Sequence, residues 1–420
     1  QEDNSDYLKF PSINRNLAIY DNLILDNGAD NFAYALDART GQLAWETQIL
    51  DYRRGGQHSS GPIIGNGLVV SGRSCEEEAG PVACVIIALD AKTGEERWRT
   101  ELIPRPGEPG DETWGDVAYE DRRQVGSWMV PSYDPELNRF YAGTSVTAPT
   151  PKFMLAGNEY EYLYHNSTLA IDADTGEIEW YMQHVVDHWD LDHPFERVLI
   201  ETEVAPDPDS VPWISPRVRS GDTYKVITGI PGKTGLFYTV DRESGQFLWA
   251  RPTVYQNVIT DVNTESGRGA VNPDATFSAA GQTKVVCPSL TGGKNYHAGA
   301  YSPLTDLMFY PLHNLCMEIT PTVEQATAED GYAIRTADQI APGTDNVGTL
   351  EAISVVTGET VWKFENRAGQ TSVIATGGGL VFGGDVHGRF RAFDQRNGEV
   401  LWEVNLGSQI AGFPATFAVD

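Results

Sequence analysis

The sequence predicts an all-β protein built from repeated four-stranded antiparallel sheets, and three observations support this prediction. The 420 residues include 42 Gly and 24 Pro, which favours many turns between short strands over long helices. A pattern that ends in Trp recurs along the chain. Alternating apolar residues flank the turn in each copy, which is typical of strands. Four short strands per repeat, arranged radially, predict a β-propeller.

The repeat has the form apolar-apolar-Asp, a short linker, Thr/Ser/Asn-Gly, and a strand that ends in Trp. Asp and Gly supply the turn, and Gly takes the position with positive φ. Each copy therefore predicts a β-hairpin whose Trp packs between neighbouring blades. The copies are "ALDARTGQLAW" (35–45), "ALDAKTGEERW" (88–98), "AIDADTGEIEW" (170–180), "TVDRESGQFLW" (239–249), "AISVVTGETVW" (352–362) and "AFDQRNGEVLW" (392–402), ending in Trp45, Trp98, Trp180, Trp249, Trp362 and Trp402.

Further strands are predicted between these copies. "GNGLVVSG" (65–72) and "GGGLVFGG" (377–384) read as strands that precede a repeat. "SYDPELNRFYAGT" (132–144) and "AYSPLTDLMFYPL" (300–312) read as hairpins without Trp, in the two longest gaps between the repeat tryptophans. We expect one domain over residues 1–420 with incomplete blades at both ends. An open sheet exposes an unpaired edge, so either the chain is a fragment or something else closes the ring.

The net charge and the hydropathy of the chain limit the kinds of molecule that it is expected to bind. The formal net charge of −29 disfavours nucleic acid, whose phosphates would be repelled. It leaves open a basic protein partner and an acidic surface that serves solubility. No apolar run approaches the ~18 residues of a membrane span. The first residues, "QEDNSDYLKF", show no signal peptide, as expected of an exported protein after cleavage.

The four cysteines are Cys75, Cys84, Cys287 and Cys316. They form no CxxC or CxxCH motif, which excludes a zinc ribbon, a thioredoxin-type site and a c-type haem attached to this chain. Two local disulfides, Cys75–Cys84 and Cys287–Cys316, would suit an oxidising compartment. Four buried free thiols are the alternative.

The Asp-x-x-Thr-Gly-x-x-x-Trp repeat resembles the tryptophan-docking motif of the PQQ-dependent alcohol dehydrogenases, the quinoproteins. The resemblance covers nearly the whole chain. It implies an eight-bladed propeller that holds pyrroloquinoline quinone (PQQ) and a metal ion. The repeat alone is shared with non-enzymatic propellers, so the residues that would form the site decide between the two classes.

Several segments resemble the family's cofactor site. "INRNLAIYDNLI" (13–24) is similar to the segment whose Arg binds a PQQ carboxylate, which implies Arg15. "HSSGPIIGNGLVVSGRSCEE" (58–77) resembles the stretch with cofactor-binding hydroxyls, here Ser59 and Ser74. "GSWMVPSYDPELNRFYAGTS" (126–145) is similar to the segment whose Trp forms the floor under the quinone, which implies Trp128.

Two segments further along the chain complete the implied cofactor site. "GKTGLFYTVDRESG" (232–245) places Lys233 where the family has Arg or Lys against the reactive carbonyl of the quinone. "CPSLTGGKNYHAGAYSP" (287–303) resembles the family's long disulfide segment, which supports Cys287–Cys316 and places Asn295 near the cofactor. One feature departs from the family, because Lys9 and Phe10 replace its usual adjacent pair of disulfide-linked cysteines.

The metal site is implied by three carboxylates. Glu77 is the best match for the family's Glu ligand, with Glu76 and Glu78 as rivals. "VVDHWDLDHPFE" (185–196) resembles the segment with the catalytic Asp, which is Asp190 here.

The second aspartate of this segment, Asp192, resembles the additional metal ligand of the lanthanide-using branch. In an extended segment residues i and i+2 face the same side, and oxygen ligands favour Ca²⁺ or a lanthanide. Val146 stands where the family usually has a ligating Asn. Asp192 is therefore expected to supply the ligand that Val146 cannot.

The resemblance implies a periplasmic dehydrogenase that oxidises an alcohol to an aldehyde or ketone. Asp190 would take the hydroxyl proton, and Lys233 would stabilise negative charge on the quinone. Electrons would leave to an external acceptor such as a soluble cytochrome c, which an acidic surface suits. The alternative is a non-catalytic binding or scaffold propeller, which explains the repeat equally well but not the matches at Arg15, Trp128, Lys233 and Asp190.

Overall fold

The structure is a computed structural model that describes residues 13–54, 56–57, 59–75, 79–326 and 331–418. Strands account for nearly all of its regular structure, and the described residues contain no α-helix. The prediction of an all-β protein is therefore confirmed. Short 3-10 helices lie at Tyr52–Arg54, Pro81–Ala83, Asp111–Trp114, Tyr119–Asp121, Lys152–Met154 and Pro273–Ala275.

The chain divides into two compact units. The first comprises residues 1–197, 276–283 and 320–335, and the second comprises residues 198–275, 284–319 and 336–420. The expectation of a single domain over residues 1–420 stays a prediction.

The described residues of the first unit form three four-stranded antiparallel sheets. Its strands are β1 (Ala18–Tyr20), β2 (Leu23–Asn27), β3 (Phe32–Asp37), β4 (Leu43–Gln48), β5 (Gly56–Gln57), β6 (Ile63–Gly65), β7 (Leu68–Ser71), β8 (Ser74–Cys75), β9 (Val85–Asp90), β10 (Glu96–Glu101), β11 (Ser132–Asp134), β12 (Arg139–Gly143), β13 (Ser167–Asp172) and β14 (Ile178–Gln183). The sheets have the orders β1-β2-β3-β4, β10-β9-β7-β6 and β11-β12-β13-β14, and β5 pairs with β8. The strand predicted at 65–72 and the hairpin predicted at 132–144 are both present.

The remaining strands lie wholly or for the most part in the second unit. They are β15 (Val198–Val204), β16 (Trp213–Ile214), β17 (Asp222–Ile230), β18 (Leu236–Asp241), β19 (Phe247–Pro252), β20 (Ile259–Val262), β21 (Gly269–Val271), β22 (Lys284–Val286), β23 (Ala300–Ser302), β24 (Leu307–His313), β25 (Leu315–Pro321), β26 (Ile334–Ile340), β27 (Gly348–Ser354), β28 (Thr360–Asn366), β29 (Gln370–Ala375), β30 (Leu380–Asp385), β31 (Arg389–Asp394) and β32 (Val400–Asn405). Four-stranded sheets form in the orders β23-β24-β27-β28 and β29-β30-β31-β32. Three sheets depart from the four-stranded pattern: the five-stranded sheet β15-β17-β18-β19-β16, the hairpin β20-β21 and the three-stranded sheet β22-β25-β26.

The turn of the repeat is held by its Asp side chain. Asp37 Oδ1 accepts the N–H of Thr40 at 2.8 Å and the N–H of Arg39 at 3.1 Å. Asp172 Oδ1 does the same for the N–H groups of Asp174 and Thr175, at 2.9 and 2.8 Å. These bonds satisfy backbone donors that the hairpin leaves unpaired. The hydrogen bonds from Thr40 also lower the pKa of Asp37.

The tryptophan of one sheet packs on the turn glycine of the next. The Trp98 Nε1–H donates to the Ala173 carbonyl at 2.9 Å, and a Cβ added to Gly176 would lie 2.8 Å from the indole. Trp45 has the same relation to Gly94, where a Cβ would lie 2.5 Å from the ring. The turn glycine is therefore required for its positive φ and for the close approach of the indole.

The expected packing of the six repeat tryptophans is only partly observed. Trp45, Trp98, Trp249 and Trp362 are buried at 9% exposure or less, and Trp362 Nε1 donates to the Gln395 carbonyl at 2.9 Å. Trp402 departs from the prediction because its side chain is 50% exposed. Trp45, Trp98 and Trp362 also lie on edge strands but pack on the turn of the sheet that follows in the chain, whereas the described residues contain no sheet after the one that holds β32.

Candidate functional site

Three residues predicted to bind the cofactor come together in the first unit. The guanidinium carbon of Arg15 lies 4.8 Å from the centroid of the Trp128 ring. Arg15 Nη1 donates to the backbone carbonyl of Ser59 at 2.7 Å. The edge of Phe195 approaches the same indole, with ring centroids 5.3 Å apart at 83°. An aromatic face and a cation over it suit a flat, anionic ring compound.

Ser59 joins this cluster through its backbone, whereas its hydroxyl was the predicted contact. The residue is 5% exposed. The neighbouring Ser60 uses its own hydroxyl to donate to the carbonyls of Met129 and Gly61, both at 3.0 Å. The segment 59–61 is therefore fixed beside the segment that carries Trp128.

Ser74 lies in β8, and its backbone pairs with Gln57 of β5. Two glycines show how closely this segment approaches the Trp128 segment. A Cβ on Gly72 would lie 2.1 Å from the Ser127 carbonyl oxygen, and a Cβ on Gly126 would lie 2.7 Å from the Arg73 carbonyl oxygen. The Ser127 hydroxyl is buried and makes no hydrogen bond with any described residue. It is a donor that a ligand at this place could satisfy.

The metal ligand predicted at Glu77 lies outside the described residues, as do its rivals Glu76 and Glu78. Cys75 and Cys84, which stand before and after these positions in the sequence, form a disulfide with a Cα–Cα distance of 5.0 Å. Cys287–Cys316 is also formed, and the chain has no free cysteine. Both predicted disulfides are therefore confirmed.

Asp190 and Asp192 project from the loop that follows β14. Asp190 is partly exposed, whereas Asp192 is 5% exposed. Asp192 Oδ1 accepts the backbone N–H of Val146 at 2.8 Å. Val146 thus contributes through its backbone, a role that a side-chain motif does not reveal. Within the described ranges, no group of three or more His, Cys, Asp or Glu side chains could hold a metal ion.

A third aspartate, Asp187, organises the same loop and was not predicted. Its Oδ1 accepts the N–H of Trp189 at 2.8 Å, and its Oδ2 accepts the N–H of Leu191 at 2.5 Å. The Asp187 N–H donates to His165 Nε2 at 3.1 Å. The Asp-x-Trp spacing, with an acceptor two residues before a donor, was the available sequence signal.

Arg197 holds the other end of this loop. Its Nη2 donates to the His193 carbonyl at 2.7 Å and to Thr168 Oγ1 at 2.9 Å. The His193 ring stacks on His184, with centroids 4.7 Å apart and planes 7° apart. Burial, followed by the charge of His193, lowers the pKa of His184 well below its usual value. The stacked His184 and His193 lie close to Arg197, which always carries a positive charge. A neutral His184 avoids repulsion among these buried groups.

Lys233 and Asn295 belong to the second unit. Lys233 is 6% exposed, and its carbonyl accepts the N–H of Gly293 at 2.9 Å. A Cβ on Gly292 would lie 2.6 Å from Lys233 Cγ, so the segment before Asn295 packs directly on Lys233. The Asn295 amide is used locally, since Nδ2 donates to the Thr291 carbonyl at 2.8 Å and Oδ1 accepts the Tyr296 N–H at 2.7 Å.

Among the described residues, no helix has the length and apolar composition needed to cross a membrane.

Two family models match the chain. Residues 51–265, just over half of its length, match the model described as glucose/ethanol/alcohol dehydrogenase, β-propeller domain. Residues 346–416 match the model described as outer membrane protein assembly factor BamB.

Individual relatives match over nearly the whole chain. Quinoprotein alcohol dehydrogenase PedH of Pseudomonas putida is 29% identical over 434 residues, which cover 97% of this chain and 69% of that protein. The lanthanide-dependent methanol dehydrogenase of Methylacidiphilum fumariolicum is 29% identical over 428 residues, with 96% and 67% covered.

A solved structure agrees with these matches. The quinohemoprotein alcohol dehydrogenase ADHIIG of Pseudomonas putida HK5 superposes with a TM-score of 0.85 at 27% identity, covering 97% of this chain and 61% of that one. The β-propeller fold is thereby confirmed, and the eight blades stay a prediction. The chain spans about two thirds of the length of these relatives.

Proposed function

Because the chain belongs to the glucose/ethanol/alcohol dehydrogenase β-propeller family, whose PQQ-dependent members are oxidoreductases, we propose that it oxidises an alcohol with PQQ and a bound metal ion. The observation that carries the proposal is the cluster of Arg15, Trp128 and Ser59 in the first unit. A scaffold protein does not need the Arg15 cation over the Trp128 ring. Nor does it need the buried hydroxyl of the adjacent Ser127, which has no described hydrogen-bond partner.

The residues of this cluster fit PQQ by their chemistry. PQQ is a flat tricarboxylate, so the Trp128 face suits its rings and the Arg15 guanidinium suits a carboxylate. The Ser127 hydroxyl, which is buried without a described partner, can donate to another oxygen of the same ligand. The Ser59 and Ser74 hydroxyls and Asn295 remain proposed contacts from the family match.

The metal ion would be held by Asp190, Asp192 and Glu77. Carboxylate oxygens suit hard cations, and three negative charges favour a trivalent lanthanide over Ca²⁺. The lanthanide-dependent methanol dehydrogenase is a relative over 96% of the chain. The Val146 N–H donates to Oδ1 of Asp192 at 2.8 Å, which fixes the position of this carboxylate in the loop.

PQQ, when bound, supplies the two-electron acceptor that the side chains lack. Asp190 is proposed to accept the proton of the substrate hydroxyl at a carboxylate oxygen, as a general base. Lys233 is proposed to hold the quinone oxygen with its ammonium group. The substrate class is a small alcohol, and the electrons pass to an external acceptor such as a cytochrome c.

The proposed electron acceptor rests on the net charge of the chain, and the proposed compartment rests on the state of its cysteines. The net charge of −29 suits a basic cytochrome c. Two disulfides and no free thiol suit a periplasmic location. The alternative is a non-catalytic scaffold. Residues 346–416 match the BamB model, but the relatives that match nearly the whole chain are dehydrogenases, so the alternative is not favoured. Absence of PQQ binding would favour it.

Replacing Arg15 with Ala is expected to weaken PQQ binding by about tenfold or more. A hydrogen bond to a charged group contributes roughly 1.5–3 kcal/mol, and tenfold corresponds to about 1.4 kcal/mol. Quenching of tryptophan fluorescence during a PQQ titration measures the dissociation constant. Arg97→Ala is the control, since Arg97 lies on β10 and pairs with Asp90 at 3.4 Å. Equal weakening by both changes, or none by Arg15→Ala, would contradict the assignment.

With PQQ present, La³⁺ is expected to support turnover at a lower concentration than Ca²⁺. The reason is the third carboxylate, because the attraction of three charges grows with the charge of the ion. Turnover is measured with ethanol and an artificial electron acceptor while each metal is titrated. A lower half-saturating concentration for Ca²⁺ would show that the site is of the calcium type.

A further inference from the structure

Asp187 holds the loop that carries Asp190 and Asp192 by two backbone hydrogen bonds. Its two carboxylate oxygens accept the N–H groups of Trp189 and Leu191, at 2.8 and 2.5 Å. These two residues flank Asp190 in the chain, and Leu191 directly precedes Asp192. The bonds therefore fix the peptide groups from which both site carboxylates project.

Asp187 is completely buried, and so is Lys152. A carboxylate and an ammonium group taken out of water are costly unless opposite charges and hydrogen bonds compensate them. Burial raises the pKa of Asp187, and the charge of Lys152 is the largest effect that opposes this. Burial lowers the pKa of Lys152 to about 8, and the charge of Asp187 opposes that shift. Each residue is thus the electrostatic partner of the other.

Lys152 belongs to a segment that contacts the loop at two further points. Its Nζ donates to the Thr147 carbonyl at 3.2 Å. Next to Thr147, the Val146 N–H donates to Asp192 at 2.8 Å. Thr150 Oγ1 donates to the His188 carbonyl at 2.8 Å. Segment 146–152 therefore contacts the loop at Asp192 and His188, and Lys152 lies at the end of this segment.

Two carboxylates one residue apart repel each other when no cation lies between them. A loop that presents both carboxylates to one ion needs a support that does not depend on that ion. The reason is that a preorganised site loses less conformational entropy when the ion binds. The described neighbours provide such support through the side chains of Asp187, Thr150 and Arg197, and through one backbone N–H group.

We propose that Asp187 is a positioning residue that presets Asp190 and Asp192, with Lys152 as its buried counter-charge. It acts through the backbone of the loop and touches neither substrate nor cofactor. The proposal rests on the proposed function for the role of the two presented carboxylates, but the support of the loop can be measured without PQQ or metal.

The first test is amide hydrogen exchange, by mass spectrometry, in peptides that cover residues 187–192 of the metal-free protein. Asp187→Ala is expected to raise exchange at Trp189 and Leu191 by about 10- to 100-fold, because both charged acceptors are lost. Asp187→Asn keeps one oxygen acceptor and is expected to lie between. Unchanged exchange in Asp187→Ala would overturn the proposal.

The chain offers a matched control at Asp172. Its carboxylate also accepts two backbone N–H groups, those of Asp174 and Thr175, but in an exposed repeat turn of the same unit. Asp172→Ala is expected to leave exchange at 187–192 unchanged. If Asp187→Ala does not fold, Asp187→Asn combined with Lys152→Met removes both buried charges, and the smaller increase in exchange given for Asp187→Asn is expected. An unchanged loop in that double variant would also overturn the proposal.

The second test is binding of Tb³⁺ alone, followed by its sensitised luminescence. Asp187→Ala is expected to weaken Tb³⁺ binding by about 10- to 100-fold, the range for residues that orient metal ligands, whereas Asp172→Ala leaves it unchanged. Equal binding by Asp187→Ala and the unchanged protein would overturn the positioning of the two carboxylates. If the unchanged protein binds no Tb³⁺, the metal site of the proposed function fails, and the exchange experiment alone decides whether Asp187 supports the loop.

Discussion

An Asp190→Asn variant is expected to bind metal and PQQ but to lose turnover by about 10²- to 10⁴-fold, the range for one general base. The amide keeps the size of the side chain and can still coordinate weakly through oxygen, but it cannot take a proton at neutral pH. The loop around it should persist, because its hydrogen bonds come from Asp187. Single-turnover reduction of the bound quinone measures the chemical step apart from binding.

Asp192→Asn is the companion variant and should behave differently. Its oxygen can still accept the Val146 N–H, but one negative charge facing the cation is lost. We expect weaker metal binding, and excess metal should restore part of the activity. Metal titration of both variants separates the two roles. If Asp190→Asn is the one rescued by metal, and Asp192→Asn is inactive while fully loaded, the roles are reversed.

Trp98→Ala is expected to lower the free energy of unfolding by about 3–5 kcal/mol, as for other buried aromatic side chains cut back to Ala. Trp98 is 7% exposed, its Nε1–H donates to Ala173, and its ring lies over Gly176. The change leaves a cavity between two sheets and an unpaired carbonyl. Denaturant unfolding, followed by circular dichroism, measures the loss.

Trp402→Ala is the control for this prediction, because the same repeat position is 50% exposed there. We expect a cost of at most about 1 kcal/mol, since surface changes seldom exceed this. Equal costs at Trp98 and Trp402 would show that the indole stabilises its own strand rather than the contact between sheets.

The structure of the repeat could be predicted from sequence because each of its positions has one local structural role. Asp37 caps a turn, Gly94 takes a positive φ beneath an indole, and Trp45 fills the space between sheets. Such roles recur at fixed spacing, so six copies reinforce one another. The exposure of Trp402 could not be predicted, because it depends on what lies beside the strand and not on the repeat.

The candidate site could be predicted where a side chain is itself the expected contact. Arg15 and Trp128 were predicted separately, from segments more than a hundred residues apart, and the structure brings them to 4.8 Å. The backbone contribution of Val146 was missed, because any residue type can supply an N–H group. The pairing of Asp187 with Lys152 was missed for another reason, because two buried charges 35 positions apart show no shared pattern in the sequence until folding brings their segments together.

The order of strands within the sheets has a consequence for folding during synthesis. β1 to β4 come from one uninterrupted segment, residues 18–48, and each strand pairs with the next in the chain. A ribosome adds about 5–20 residues per second, whereas a hairpin closes within about 1–10 μs. The first sheet can therefore form as soon as it emerges. Trp45 then waits several seconds until Gly94 and the following sheet have been made. During that interval the face of the Trp45 indole that is buried in the finished protein is exposed to solvent. This exposed apolar surface is a binding site for a chaperone.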